Sequence, residues 1–472
     1  MSHPLIYRAL VPNAPLHRRT ESDDLRQGLL APQAKLLRQK VVVPGLQEPS
    51  LISSFAGSIE RILLCFPSWA VQDDDFVKAY QSLIGALRVG TRFIVVHHAS
   101  IAGEIAPWFF LAGHDQSKVT FISLPDYVTL TDWAEDAYVA LLDARDDSRY
   151  LMEPWEFRRV GDALIADSVE EFSDIKASQA PLIFQGGNCL VGDDFWLLGK
   201  DYFVDSMRLI GGARAPVQVP LGEDTEVFVK GLFASYVDKQ RKLVLVGSDD
   251  PLGFQSYAGA KAGSSYFLDI VGNGAGTYQP IFHIDMFITL LGKNSTGSFE
   301  VLVGSPAMAD QLLGTSSPYG LNSVYDDIAA SLEQLGVSVI RNPLVHRATL
   351  GETFTLMELE DIAAQPGYEE LVAAIDELKG LGAAETSKVR IRDWHHITWN
   401  NCLVENSQAK GRHVYLPTFG YGRNADLATV DGAMQQLWAG LGFTVHLLGD
   451  FNKFAERQGV VHCIKKYLDR GD

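Results

Sequence analysis

Apolar positions recur along the chain with two periods. Phe76, Tyr80, Leu83 and Leu87 follow the spacing of one helix face, and Val89-Gly90 then leads into Arg92-Phe-Ile-Val-Val96. The pattern repeats with Ile328, Leu332 and Leu335, then Gly336 and Val337-Ser-Val-Ile340. It repeats again with Met434, Leu437, Trp438 and Leu441, then Gly442 and Phe443-Thr-Val-His-Leu-Leu448. Each stretch predicts an amphipathic helix, a glycine at its end where the chain can pass through positive φ, and a short apolar strand. Further runs predict buried strands at residues 61–65, 119–123, 195–198, 243–246 and 413–416. Helices and strands therefore alternate across residues 55–472. That predicts an α/β fold, either an open sheet or repeated modules in a ring. Residues 247–276 and 305–320 are rich in Gly and Ser and predict long loops, and no linker is evident.

Composition narrows the class. Of 472 residues 47% are hydrophobic and 21% charged, which suits a large packed core and excludes wholesale disorder. The 40 basic and 58 acidic residues give −18, which disfavours a nucleic-acid binder and favours a cationic ligand. Residues 1–50 carry seven Lys/Arg and four Asp/Glu, so this segment is +3 against −21 for the remainder. Residues 1–54 are expected to form an N-terminal arm or added helix, periodic only over residues 25–43, ahead of one catalytic domain over 55–472. No secretory pattern or membrane-length apolar run is present, and four cysteines without a CxxC pair suit a reducing compartment. A cytoplasmic protein is expected. No P-loop, HExxH or GxSxG occurs.

Three polar clusters interrupt apolar surroundings: Asp132-Trp-Ala-Glu-Asp136, Phe282-His-Ile-Asp-Met-Phe287 and Gly459-Val-Val-His-Cys-Ile464. On a strand, His283 and Asp285 would share a face, a costly pair to bury unless paired or used. Gln185-Gly-Gly-Asn188 reads as a turn with close backbone approach. Cys65, Cys189 and Cys402 sit in apolar runs and read as core.

Taken in order, these pieces resemble the guanidino-group-modifying (pentein) superfamily, nearest its agmatine deiminase and bacterial peptidylarginine deiminase branch. Trp133-Ala-Glu-Asp136 resembles the family's Trp-x-x-Asp, Gln185-Gly-Gly-Asn188 its Glu-Gly-Gly-Asn/Asp, and Phe282-His-Ile-Asp285 its Gly-His-x-Asp. Asn400-Asn401, Val414-Tyr-Leu-Pro-Thr-Phe-Gly420 and Gly459-Val-Val-His-Cys463 resemble its last module. Three positions depart from the family: Gln185 stands for Glu, Phe282 for Gly, and Ala134-Glu135 replaces the x-Arg common in agmatine deiminases.

The resemblance implies a pentein-type α/β propeller of five ββαβ-like modules around a pseudo-fivefold axis. It further implies a Cys-dependent deiminase. Asp136 and Asp285 would hold a planar guanidinium by charge-assisted hydrogen bonds. Cys463 would attack its carbon, and His283 would protonate the departing ammonia and then activate water. Gln185, Trp133 and Asn188 would complete the substrate site. No metal or organic cofactor is needed, and the expected partner is a guanidine-bearing substrate such as arginine, agmatine or peptidyl-arginine, with homo-oligomerisation possible. Two other readings use the same residues: an amidinotransferase, and a catalytically altered member that binds a guanidine or a protein partner, to which Gln185 points.

Overall fold

The computed structural model describes residues 46–471 apart from Arg158, Val160, Arg214 and Asn273. The periodic stretch expected at residues 25–43 lies outside the described residues. Pro49–Leu51, assigned to the arm by the sequence reading, is a strand paired antiparallel with Val139–Asp143.

Among the described residues one unit occurs five times. It consists of an antiparallel hairpin, one or two helices, and a strand returning parallel to the hairpin's second strand. In chain order, Val139–Asp143 pairs antiparallel with Ser148–Glu153, which pairs parallel with Lys176–Gln179 beyond the helix Ile165–Phe172. Cys189–Val191, Phe195–Gly199 and Lys242–Val246 repeat this with two helices between. Ile288–Lys293, Phe299–Ser305 and the start of Ser338–Thr355 form the next unit. Leu403–Ser407, Gly411–Thr418 and Thr444–Asp450 follow, with the helix Ala428–Gly440. The fifth joins the chain's two ends: Lys465–Gly471 pairs antiparallel with Ser58–Phe66, which pairs parallel with Arg92–His98 beyond the helix Asp74–Ala86. The helix–Gly–strand pattern is the second half of this unit. Gly90, Gly336 and Gly442 all have positive φ (115°, 84° and 82°), where a Cβ would be strained.

The long loops expected from sequence are partly regular. Residues 247–276 contain the hairpin Tyr257–Ala262/Ser265–Ile270, and residues 305–320 contain the helix Pro306–Leu313. The Gly/Ser content that suggested loops reflects turns flanking these short elements. The 18-residue strand Ser338–Thr355 runs beyond its unit and pairs antiparallel with Lys388–Thr398, which pairs parallel with Ser265–Ile270. The helices Leu356–Ala363 and Leu371–Gly380 cover this added sheet through Leu359, Ala374, Leu378, Val389 and Ile391. No helix among the described residues is long and apolar enough to cross a membrane.

The extended hairpin buries imidazoles. His346 stacks on His396 with ring centroids 4.5 Å apart, and its Nδ1 lies 2.8 Å from Ser317 Oγ. Burial pushes His346 down to about 3 and His395 to about 4. These rings stay neutral in the fold but take up protons in the unfolded chain from about pH 6.5 downwards. The unfolded state then binds more protons, so their contribution to stability is present above pH 6.5 and is lost as pH falls from there towards 3. Denaturant unfolding between pH 7 and pH 4 should therefore show an acid-side loss that is shallower in His346→Gln, which has no ring to titrate. Identical pH slopes for the two proteins would contradict this.

Candidate active site

Each of the five units carries a turn just before its first hairpin strand, and the polar clusters of the sequence occupy these turns. Trp133–Asp136 precedes Val139–Asp143, and the short 3-10 turn Gly186–Asn188 precedes Cys189–Val191. His283 caps the turn Ile284–Met286 ahead of Ile288–Lys293. Asn400-Asn401 precedes Leu403–Ser407, and His462-Cys463 precedes Lys465–Gly471. His283 and Asp285 thus lie on a turn and not on a strand, the case in which their spacing would have put them on one face. The tighter backbone lets both side chains face the same polar region without a strand's alternation.

The turns are hydrogen-bonded one to the next. The Gly186 N–H donates to the Asp136 carbonyl (3.3 Å), and the Ile284 N–H to Asn188 Oδ1 (2.9 Å). Asn401 Nδ2 donates to the Asp285 carbonyl (3.5 Å), and the His462 N–H to Asn401 Oδ1 (2.8 Å). The Glu135 N–H donates to the Cys463 carbonyl (3.1 Å), which links the fifth turn back to the first. Gly186 is required here because a Cβ would collide with the Glu135 carbonyl, and at Gly187 a Cβ would sit 2.6 Å from His283 Nδ1.

These links gather the side chains singled out from sequence. Cys463 is 3% exposed, with Sγ 3.7 Å from Asp285 Oδ2 and accepting from Asn401 Nδ2 at 3.2 Å. Asp285 Oδ2 also lies 2.7 Å from His462 Nδ1. His283 Nε2 lies 2.9 Å from Gln185 Oε1 and 3.3 Å from the Tyr202 hydroxyl, while its Nδ1 is 3.7 Å from Asp136 Oδ1. Asp136 Oδ2 accepts from Arg159 Nη2 at 2.7 Å, and Arg159 Nε donates to Asp162 Oδ2 at 2.7 Å. Asp136 acts electrostatically on both Cys463 and Asp285. Three of the buried atoms here have no hydrogen-bond partner: Asp136 Oδ1, His283 Nδ1 and Asp285 Oδ1.

The remaining two expected residues lie further back. Asn188 exchanges hydrogen bonds with Gln279 (3.2 and 3.1 Å) and holds the Ile284 N–H, so its amide fixes the turn bearing His283 and Asp285. Half-buried Trp133 packs on Phe454 and lies 5.1 Å from the Arg457 guanidinium.

Burial dominates the electrostatics. It pushes His283 down to about 4, with nearby Asp136 opposing, and it lifts the Asp285 carboxyl. It lifts the Cys463 thiol well above 9, and the Asp285 and Asp136 charges add to that rise. The resting site is therefore a thiol beside a neutral imidazole.

Several site groups were given no role by the sequence reading. Asn401 Oδ1 accepts the N–H groups of Val460, His462 and Cys463 (3.2, 2.8 and 3.2 Å), clamping the turn that carries the thiol. The buried Lys465 and Lys466 ammoniums both reach Glu135 (2.9 and 2.8 Å). The Lys-Lys doublet inside an apolar terminal strand was the available signal, since buried lysines need partners. Nothing local to Arg159 or Tyr202 pointed to the site. Among the described residues, no cluster of His, Cys, Asp and Glu could hold a metal ion.

Alkylation of Cys463 by iodoacetamide, followed by peptide mapping, should be slow at pH 7 and still accelerating at pH 9, because the thiolate is the reactive form. A rate that levels off below pH 8 would contradict the raised thiol.

No protein-family model matches the chain, and no curated protein sequence matches it. Solved structures do. The agmatine deiminase of C. jejuni superposes with a TM-score of 0.50 at 10% identity, covering 91% of this chain and 99% of that one. A structural-genomics target provisionally titled an agmatine deiminase superposes with a TM-score of 0.51 at 14% identity, covering 89% and 95%. At such identities the likeness is one of fold alone: the chain shares the α/β architecture of these structures.

Proposed function

We propose that the chain is a Cys-dependent guanidine hydrolase, a deiminase releasing ammonia from an arginine-like small molecule or a peptidyl-arginine. The observation that carries this reading is the set of three buried, unpartnered acceptor positions, Asp136 Oδ1, His283 Nδ1 and Asp285 Oδ1, gathered around a buried cysteine. Unpaired buried polar atoms cost free energy and tend to mark where a ligand makes the missing bonds. A guanidinium is a planar cation with N–H donors on several edges, so it complements acceptors on different sides. Each aspartate offers it one oxygen, since the other is held by Arg159 or by His462. The local charge agrees. Asp136, Asp162, Glu135 and Asp285 face only Arg159, Lys465 and Lys466, one cation fewer than carboxylates.

In this reading the five units form a ring about a pseudo-fivefold axis and residues 55–472 act as one catalytic domain. The hydrogen-bonded circuit of turns supports it. The resting thiol gives up its proton to His283 as the cationic substrate arrives, and sulfur bonds to the guanidinium carbon. His283 returns that proton to the departing nitrogen, which leaves as ammonia when its C–N bond breaks. The remaining S-alkylthiouronium is attacked by water, whose proton passes to His283. The C–S bond then breaks to leave a ureido product, sulfur recovers its proton from His283, and the remaining hydroxyl proton leaves on the ammonia as ammonium. A buried thiolate opposite a cation is stabilised by the charge it attacks.

Ammonia release measured against arginine, agmatine and an acyl-arginine amide tests the reading, and turnover of none of them would overturn it. The Gln185 amide can donate as well as accept, which suits a carbonyl near the guanidine better than the distal amine of agmatine. The acyl-arginine amide is therefore expected to give the higher kcat/KM of the two, and a clear preference for agmatine would contradict that choice of substrate. Cys463→Ser should lower turnover by several orders of magnitude. Asp136→Asn or Asp285→Asn should cost about 2–5 kcal/mol in kcat/KM, because the cation is left half-paired in a dry site. Gln185→Glu puts a carboxylate on His283 Nε2 and favours the imidazolium. The acid limb of the kcat profile should therefore move to higher pH, whereas an unchanged limb would remove His283 from the chemistry.

A further inference from the structure

His462 stands directly before Cys463 and takes no part in the chemistry proposed above. It is nonetheless buried, at 6% exposure, and its ring is tied to a neighbouring carboxylate. Its Nδ1 lies 2.7 Å from Asp285 Oδ2, the oxygen that Cys463 Sγ approaches at 3.7 Å. The Lys465 and Lys466 ammoniums, both tied to the single Glu135 carboxylate, act electrostatically on the ring. The Tyr467 ring lies at 5.9 Å, and the backbone N–H is fixed by Asn401 Oδ1. A carboxylate gripped by one oxygen has its second oxygen aimed, and that second oxygen, Asp285 Oδ1, is buried without a partner.

We propose that His462 is a positioning residue for the guanidinium subsite. It holds Asp285 through an Nδ1–H···Oδ2 bond, so that Oδ1 faces the substrate cation, and it does so as an uncharged donor. The charge state matters. An imidazolium in the same place would cancel the carboxylate's charge and repel a guanidinium, whereas a neutral N–H orients the carboxylate and leaves its charge for the ligand. Two ammoniums sharing one carboxylate leave a net positive charge near the ring and oppose its protonation. Burial together with Lys465 and Lys466 pushes His462 down to about 4, against the pull of Asp285. The Lys465–Glu135–Lys466 cluster thus has a use beyond its own pairing.

The inference rests on the guanidine reading, and the test separates the two. Asparagine places an N–H donor where Nδ1 stands, whereas glutamine reaches the Nε2 position and is nearer histidine in volume. Binding of arginine and of an acyl-arginine amide would be measured by calorimetry on full-length Cys463→Ala protein, alone and with His462→Asn or His462→Gln added. Thermal melts would check folding. Affinity should stay within about threefold of the parent for His462→Asn and fall by about tenfold or more for His462→Gln, the size expected for losing a hydrogen bond to a charged group. Equal weakening of both variants, no weakening of either, or better binding by the glutamine variant would overturn the positioning role. Should His462→Gln not fold, a tenfold loss in His462→Asn alone overturns it and retention supports it. Failure of the parent to bind either ligand would instead overturn the guanidine reading, and this inference with it.

Discussion

The candidate site depends on a closed circuit of hydrogen bonds between five turns. Each link joins a backbone or amide group of one turn to the next, and Glu135 to Cys463 completes the loop. Buried peptide groups must be paired, so no turn can shift without unpairing its neighbour. Five segments far apart in sequence therefore have a common geometry, and each contributes side chains to one buried volume. Asn401 is the most heavily used of these contacts, because one side-chain oxygen takes the N–H groups of Val460, His462 and Cys463 around the thiol.

Charge placement follows the same economy. Asp132 is paired with Arg457, at 2.5 Å, and Glu135 with two lysines. Asp136 shares Arg159 with Asp162, and Asp285 has only a neutral imidazole and a thiol. The carboxylates with the least compensation are thus those nearest Cys463. A buried carboxylate with one unpartnered oxygen is costly at rest and favourable with a cation beside it. The same burial that lifts the thiol and lowers both imidazoles keeps the resting site uncharged at the reacting atoms.

Gln185 illustrates how one departure propagates. A glutamate beside His283 Nε2 would hold a proton on the ring, whereas the amide oxygen at 2.9 Å accepts a hydrogen bond without adding charge. The Tyr202 hydroxyl at 3.3 Å is a second neutral partner for the same nitrogen. Both leave burial as the main influence on His283. The added sheet built on Ser338–Thr355 packs its own helices and core, apart from the five turns.

Local sequence was enough for the alternation of helices and strands, the repeated helix–glycine–strand unit, and the order of the polar clusters. These signals are carried by neighbouring residues: apolar period, a positive-φ glycine, and polar groups interrupting apolar runs. Through the resemblance it also singled out Asp136, His283, Asp285 and Cys463, of which Asp285 lies 3.7 Å from the Cys463 sulfur and Asp136 3.7 Å from His283. It failed where regular elements were short or glycine-rich, as at Tyr257–Ala262 and Pro306–Leu313, and it did not disclose the turn that carries His283 and Asp285. Only the tertiary structure decided which oxygen of each aspartate is taken, that Arg159 and Tyr202 reach the site, and that Lys465, Lys466 and Glu135 form one buried cluster. Each of those facts joins side chains distant in sequence, or sets a neutral group against a charged one through burial. Neither leaves a trace in local periodicity, because the partner that satisfies a buried polar group is chosen by packing and not by spacing along the chain.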